Sequence, residues 1–283
     1  MQSPTVRRAF RDDGLQSRFD AAGFVIIPCL DANRVARLRA AYDAADTKII
    51  NRAFSASLMS DEPEYRARVN TAIFEACTEP LAEILDDYRI SYVQFFTKRS
   101  GTAHTLPLHQ DPTFLDESRF ESLNFWIPLV DVSPANSCLR VVPGSHRLNR
   151  QLRSQLPRFP YPELVEVIER RFLYDCTMPA GYACVMSARL IHGSHANMTP
   201  HHRMAASAVA VPVESDAYYI FQRREKGPFE AYAVAPDFHR THPFGTPPPD
   251  SMVPFLECPY AFDPIDEGAL ERVVAEAGLA TAV

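Results

Sequence analysis

The chain has 283 residues, of which 46% are apolar and 23% charged; this is ordinary globular composition and excludes gross disorder. A formal net charge of −6 argues against a nucleic-acid partner, which a basic face would have to meet. No apolar run approaches the roughly 20 residues of a membrane helix, and residues 1–14, with Arg7, Arg8, Arg11, Asp12 and Asp13, have no apolar segment of a secretory signal, so a cytoplasmic protein with no membrane partner is expected.

The first fifty residues read as helix, strand, helix. Residues 15–22 form a short amphipathic helix stopped by Gly23, and Phe24-Val25-Ile26-Ile27 is a β-branched run ended by Pro28. Asp31 then stands as the N-cap of a helix with Val35, Leu38, Ala41 and Tyr42 on one face. Residues 51–78 read as a polar, irregular loop, with a helix following over 80–88.

From residue 90 the pattern changes to strands, over 90–97, 106–111, 122–130 and 139–142. Residues 146–175 interrupt them with a basic, helix-capable segment. Strands return at 182–186, 190–192, 204–213 and 217–221, a proline-rich connection covers 243–254, and a helix over 266–277 ends at Gly278. The 24 prolines against 10 glycines fit many rigid turns. The six cysteines are scattered without a C-x-x-C pair; they read as reduced, buried, small hydrophobes rather than a disulfide framework or zinc-thiolate site. This order of elements predicts a mainly β fold with flanking α, a jelly roll carried on N-terminal helices. A single domain is expected, with helical support over 10–88, a β core over about 90–222 and a C-terminal extension over 223–283.

Within the β region lies His109-Gln110-Asp111. A histidine and a carboxylate two positions apart share one face of a strand. With His192 from a distant strand they supply the 2-His-1-carboxylate set that suits non-haem Fe(II) and leaves positions open for chemistry. Arg203, eleven positions after His192, has the planar fork that grips a carboxylate. His-x-Asp alone is not specific; the ordered context around it is.

That context is PLHQD at 107–111, the strand with Trp126 leading to VSPANSCLRVVPGSH at 132–146, IHGSHANMTP at 191–200, and Arg203. Over residues 20–215 these blocks resemble the phytanoyl-CoA dioxygenase-like family of Fe(II)/2-oxoglutarate oxygenases. The resemblance implies a cupin-like double-stranded β-helix, with His109, Asp111 and His192 on iron and Arg203 and Ser194 on the distal carboxylate of 2-oxoglutarate. It also implies O2 as co-substrate, and places Gln94 and Lys98 near the co-substrate or substrate. Two departures stand out. Asn136-Ser137 replaces the family's Asn-Gly turn, and the chain after residue 215 has no counterpart. Related halogenases lack the carboxylate, so Asp111 points to hydroxylation.

The remaining histidines read more simply: His146 in a turn, and His195, His201 and His202 in a solvated loop, with no ligand spacing at His104, His239 or His242. Arg147, Arg150, Arg153, Arg158, Arg170 and Arg171 read as a solvated helical face balanced by Glu163, Glu166 and Glu169, or as a lid for an anionic substrate. Residues 52–70 are a second candidate lid. The expected function is oxidation of a small-molecule metabolite or natural-product intermediate, with release of succinate and CO2. Two alternatives stand beside it: a cupin-type metal dioxygenase or isomerase that needs no 2-oxoglutarate, and a non-catalytic β-sandwich binding module.

Overall fold

The computed structural model describes residues 6–44, 52–60, 62–155 and 158–279. Residues 1–5 of the N-terminal reading, 51 and 61 of the loop reading and 156–157 of the basic segment lie outside them. The chain opens with helix α1 (Asp13–Ala22), strand β1 (Phe24–Pro28) and helix α2 (Ala32–Asp43). Asp12 and Asp31 cap the two helices, accepting from the amides of Leu15 and Arg34 at 2.6 and 2.7 Å. Gly23 ends α1 in the left-handed region, φ 78°, where a Cβ would also strike the His146 ring.

Strand β2 (Phe54–Ala56) precedes a long helix, α3 (Pro63–Ile84). This corrects the reading of 51–78 as a loop. Tyr65, Val69, Ile73, Ala76, Cys77, Pro80 and Leu81 are its buried face, a helical spacing that the intervening polar residues obscured. The helix runs through Pro80, whose ring is itself buried in that face.

Beyond it come β3 (Tyr88–Lys98), β4 (Leu106–His109), β5 (Leu123–Pro128) and β6 (Leu139–Val141). A short helix α4 (Val165–Arg171) then leads to β7 (Tyr174–Cys176), β8 (Tyr182–Ser187), β9 (His192–Ser194) and β10 (Arg203–Pro212). They form two sheets. The larger has the order β1-β8-β5-β10-β3-β2 and the smaller β4-β9-β6-β7, and the neighbouring strands pair antiparallel throughout. This is the expected jelly roll.

Period-two alternation divides the larger sheet's residues between its two faces. Val93 and Phe95, Phe125 and Ile127, Val185, and Ala206 and Ala208 pack with Leu38, Ile73 and Leu81 of α2 and α3. Gln94 and Phe96, Asn124 and Trp126, Met186 and Arg203 line a cavity on the opposite face. The N-terminal helices therefore cover one face of the sheet and leave the other for chemistry.

The C-terminal part bears out the strand over 217–221 as β11 (Ala217–Phe221) and adds elements that the sequence reading did not include, namely β12 (Phe229–Val234), β13 (Leu256–Cys258) and, between these two, a one-turn helix α5 (Phe238–Thr241). The three strands form a separate small sheet. Helix α6 (Glu267–Ala277) closes the described chain, capped at its start by Asp266 and ended by Gly278 as expected. No helix among the described residues is long and apolar enough to cross a membrane.

Candidate active site

His109 ends β4 and faces His192, the first residue of β9, in register. Their ring centroids are 4.2 Å apart. Each ring fixes its own tautomer locally. Nδ1 of His109 lies 2.8 Å from the Pro107 carbonyl and Nδ1 of His192 lies 2.9 Å from that of Leu190. A carbonyl only accepts, so both Nδ1 atoms donate and both Nε2 atoms remain free to bind a metal. Burial, reinforced by His192, pushes His109 down to about 4, which keeps the imidazole neutral and ligand-competent.

Asp111 completes the set: one ligand atom from each of the three residues lies within 4.8 Å of the others. The strand argument for Asp111 needs correction, because β4 stops at His109. Asp111 is held instead by distant contacts. Its carbonyl accepts from Arg153 Nε at 2.7 Å, and its Oδ2 accepts from Asn124 Nδ2 at 3.0 Å. Arg153 is in turn locked by Glu117 through two bonds of 3.0 and 2.5 Å.

Arg203 stands at the start of β10, opposite Lys98 of β3. Its Nε donates to the Ser137 carbonyl at 3.1 Å, and its guanidinium carbon lies 5.1 Å over the Trp126 ring. Arg203 Nη1, Ser194 Oγ and Lys98 Nζ are buried with no hydrogen-bond partner among the described residues. Arg203 is 2% exposed and Lys98 fully buried. Burial pulls Arg203 down to about 10, while burial and the Arg203 charge pull Lys98 down to about 8. Two neighbouring buried cations without a counterion are costly, and an anion is the partner that would relieve them. Ser137 adopts φ 73°, so the Asn136-Ser137 turn enters the left-handed region that a glycine would favour.

These groups surround a cavity of about 590 Å³ lined by His109, Asp111, His192, Ser194, Arg203 and Gln94. Lys98 is not on its wall; its ammonium lies 5.7 Å from the ring centre of Phe54, which is. Phe54 and Met59 of the 52–70 stretch do reach the cavity, whereas Tyr65 faces the helical core. Sequence reasoning missed Asn124, Gln155 and Phe244 on the wall and Arg153 behind it. Phe244 comes from the proline-rich connection, where no motif signals a cavity residue.

The basic segment proves largely committed to ion pairs. Arg147 pairs with Glu276, Arg153 with Glu117, Arg158 with Glu225 and Arg171 with Glu267 and Glu271. Arg153, only 4% exposed, is no solvated face. Of the histidine readings only that of His195 changes, since His146 does lie in the turn after β6 and His239 joins no group of converging ligands among the described residues. His146 is buried beside Gly23 and His239 is buried against the Tyr218 carbonyl, and His195 pairs with Asp175 at 2.7 Å. Cys138 converges with that pair, but burial pushes its thiol up to about 12 and keeps it neutral.

Residues 19–205, more than half of the chain, match the family model of phytanoyl-CoA dioxygenase (PhyH). The chain belongs to the PhyH family. Phytanoyl-CoA dioxygenase 1 of Oryza sativa subsp. japonica is 27% identical over 124 residues, 42% of this chain and 43% of the rice protein, so the match spans less than half of that relative. Among solved structures, the non-haem alpha-ketoglutarate-dependent carbocyclase SnoK from nogalamycin biosynthesis is 22% identical, covering 74% of this chain and 86% of its own at a TM-score of 0.53. HygX from Streptomyces hygroscopicus is 18% identical over 72% of this chain and 88% of its own, at a TM-score of 0.52. Both share the fold. The PhyH match contains the three candidate ligands, Ser194 and Arg203, while β11, β12, β13 and α6 lie beyond it.

Proposed function

We propose that this PhyH protein is an Fe(II)- and 2-oxoglutarate-dependent dioxygenase that hydroxylates a small-molecule metabolite or natural-product intermediate. The observation that carries the reading is that Arg203 Nη1 and Ser194 Oγ, buried beside the His109–Asp111–His192 cluster, have no hydrogen-bond partner among the described residues. His109 and His192 offer Nε2 and Asp111 offers Oδ1, an oxygen-and-imidazole set that suits Fe(II). Arg203 Nη1 and Ser194 Oγ take the distal carboxylate of 2-oxoglutarate, with Lys98 adding positive charge behind them. HygX, on the same fold, holds nickel and 2-oxoglutarate, which agrees with this assignment.

When bound, the iron supplies O2 activation coupled to oxidative decarboxylation of 2-oxoglutarate, giving succinate, CO2 and one oxygen atom for a substrate C–H bond. The chain supplies the rest. Asn124 orients Asp111, the two backbone carbonyls orient the imidazoles, and the aromatic wall excludes water. Asp111 occupies the place that a halide would need, which favours hydroxylation. A cupin-type enzyme without 2-oxoglutarate would have no use for an uncompensated Arg203, and a binding module would have none for three converging ligands. The six cysteines form no disulfide, in keeping with a reducing compartment such as the cytoplasm.

The test is succinate formation from 2-oxoglutarate with Fe(II), O2 and a library of small molecules. Turnover is expected to require all three and to vanish in His109→Ala. Succinate formation that survives H109A, or product formation without 2-oxoglutarate, overturns the proposal.

A further inference from the structure

Four buried polar atoms of residues that line the cavity have no partner among the described residues. They are Arg203 Nη1, Ser194 Oγ, and both Oε1 and Nε2 of Gln155. The first two belong to the co-substrate end. Gln155 is 1% exposed, and nothing in the proposed chemistry uses it.

Its backbone is firmly placed. The Gln155 amide donates to the Ile220 carbonyl at 3.2 Å. Two residues earlier, the Arg153 amide donates to Thr113 Oγ1 at 3.1 Å, and the Arg153 carbonyl accepts from the Thr113 amide at 3.0 Å. The Arg153 side chain grips the Asp111 carbonyl. Gln155 therefore stands on a strut tied to a candidate metal ligand, with its carboxamide left unbonded. A buried carboxamide lacking both its donor and acceptor contacts is destabilising, and a bound ligand is the partner that would satisfy it.

The surrounding wall defines what that ligand can be. Phe54, Met59, Tyr92, Phe159 and Phe244 are largely apolar or aromatic. Apart from Arg203, the only cationic side chain on the wall among the described residues is Arg158, which is already paired with Glu225. Arg203, which 2-oxoglutarate holds, is the only buried cation on the wall among the described residues, so an anionic group on the substrate would meet there only Arg158, an exposed residue already in an ion pair.

We infer that Gln155 is a specificity-determining residue and that the primary substrate is an uncharged, largely apolar molecule bearing a carbonyl, hydroxyl or amide that its carboxamide reads. This narrows the substrate class and rests on the proposed function only in assigning Arg203 and Ser194 to the co-substrate. A cavity of about 590 Å³ lies within the range of small-molecule sites.

The test uses the full chain, loaded anaerobically with Fe(II) and 2-oxoglutarate, and three probes of one shape. These are 2-acetylnaphthalene (neutral, with an acceptor), 2-isopropenylnaphthalene (its isostere without one) and 2-naphthoate (anionic). Calorimetric titration is expected to rank the ketone about tenfold tighter than the alkene, the size of one hydrogen bond, with naphthoate weakest. Gln155→Leu is expected to erase the ketone preference, weakening the ketone and strengthening the alkene, while melting no lower than the wild type. A purely structural glutamine would instead leave the preference and lower the melting temperature. Tightest binding of naphthoate, a preference that persists in Q155L, or no saturable binding of either neutral probe overturns the inference. Binding of 2-oxoglutarate is measured separately on the wild type. If it fails, the co-substrate reading falls, and the ketone–alkene contrast, repeated without 2-oxoglutarate, still decides the role of Gln155.

Discussion

Asn124 Nδ2 donates to Asp111 Oδ2 at 3.0 Å, leaving Asp111 Oδ1 3.8 Å from His192 Nε2. The direction of the amide is set from behind, because Ser207 Oγ donates to Asn124 Oδ1 at 2.8 Å. A carboxylate that lies past the end of its strand is thus oriented by two strands of the opposite sheet. One oxygen is occupied and the other is presented to the histidines.

Replacing Asn124 tests that relay. Asn124→Leu keeps the volume and removes the bond, so Asp111 is free to rotate. Loss of an orienting partner of this kind typically weakens metal affinity by about 10- to 100-fold. Fe(II) titration against a competing chelator should show such a drop in N124L and a smaller one in Ser207→Ala. Unchanged affinity in both would mean that Asn124 does not position the carboxylate.

Arg203 should separate co-substrate binding from metal binding. Truncating one partner of a buried charge pair costs about 2–5 kcal/mol, so Arg203→Ala should raise the KM for 2-oxoglutarate by about 30-fold or more. Fe(II) affinity should stay near the wild-type value. The thermal stabilisation that 2-oxoglutarate gives the metal-loaded protein should disappear in R203A. A large loss of Fe(II) affinity with an intact KM would contradict the assignment.

Lys98 gives a pH dependence of defined sign. Burial and Arg203 lower its folded value from 10.5 to about 8. Below about pH 8 both folded and unfolded chains hold the proton, and the destabilisation is fully present. Between about 8 and 10.5 the unfolded chain holds a proton that the folded chain has released, so this group makes stability rise with pH. The quantity to measure is the difference in unfolding free energy between wild type and Lys98→Met, by urea titration at pH 8, 9 and 10. The wild type should gain on K98M across that range. A flat difference would place Lys98 in contact with a counterion or water.

The candidate site was more legible than the segments around it. His109, His192, Ser194 and Arg203 could be read because ordered motifs fix them on strands, and strand pairing then sets their distances. Asp111 was placed in the site for a reason the structure does not share: the strand ends before it, and Arg153 and Asn124, remote in sequence, do the holding. The tautomers of both histidines depend on carbonyls only two residues away, a local pattern that spacing does not signal. Helix α3 was hidden because its apolar spacing is diluted by polar residues and crosses Pro80. Gln155 and Phe244 were invisible because a single glutamine in an arginine-rich stretch, or a phenylalanine among prolines, carries no period to read.

The buried pair of Arg153 and Glu117 can be tested as a strut. Their side chains are 4% and 5% exposed, and Arg153→Met would strand the Glu117 carboxylate. Breaking such a pair costs about 3–5 kcal/mol, measurable by urea unfolding. Removing both charges in R153M/E117L should restore most of the stability, since well-packed apolar replacements are often neutral. It should not restore Fe(II) affinity, because the Asp111 carbonyl still lacks its donor. Full recovery of affinity in the double variant would show that Arg153 matters to folding alone.

Gly193 ties the two halves of the site together. It lies between His192 and Ser194 on β9, and a Cβ there would fall 2.7 Å from the Leu106 carbonyl oxygen of β4. That neighbour is backbone and cannot swing aside, so Gly193→Ala must push β9 away from β4. The displacement carries His192 away from His109 and Ser194 away from its place opposite Leu106. Fe(II) and 2-oxoglutarate affinities should therefore fall together in G193A, with a stability loss of about 1–3 kcal/mol from the overpacking. N124L is expected to weaken chiefly the metal and R203A chiefly the co-substrate. A G193A protein that lost only one of the two ligands would show that the strand yields locally, and that the metal and carboxylate ends of β9 are positioned independently.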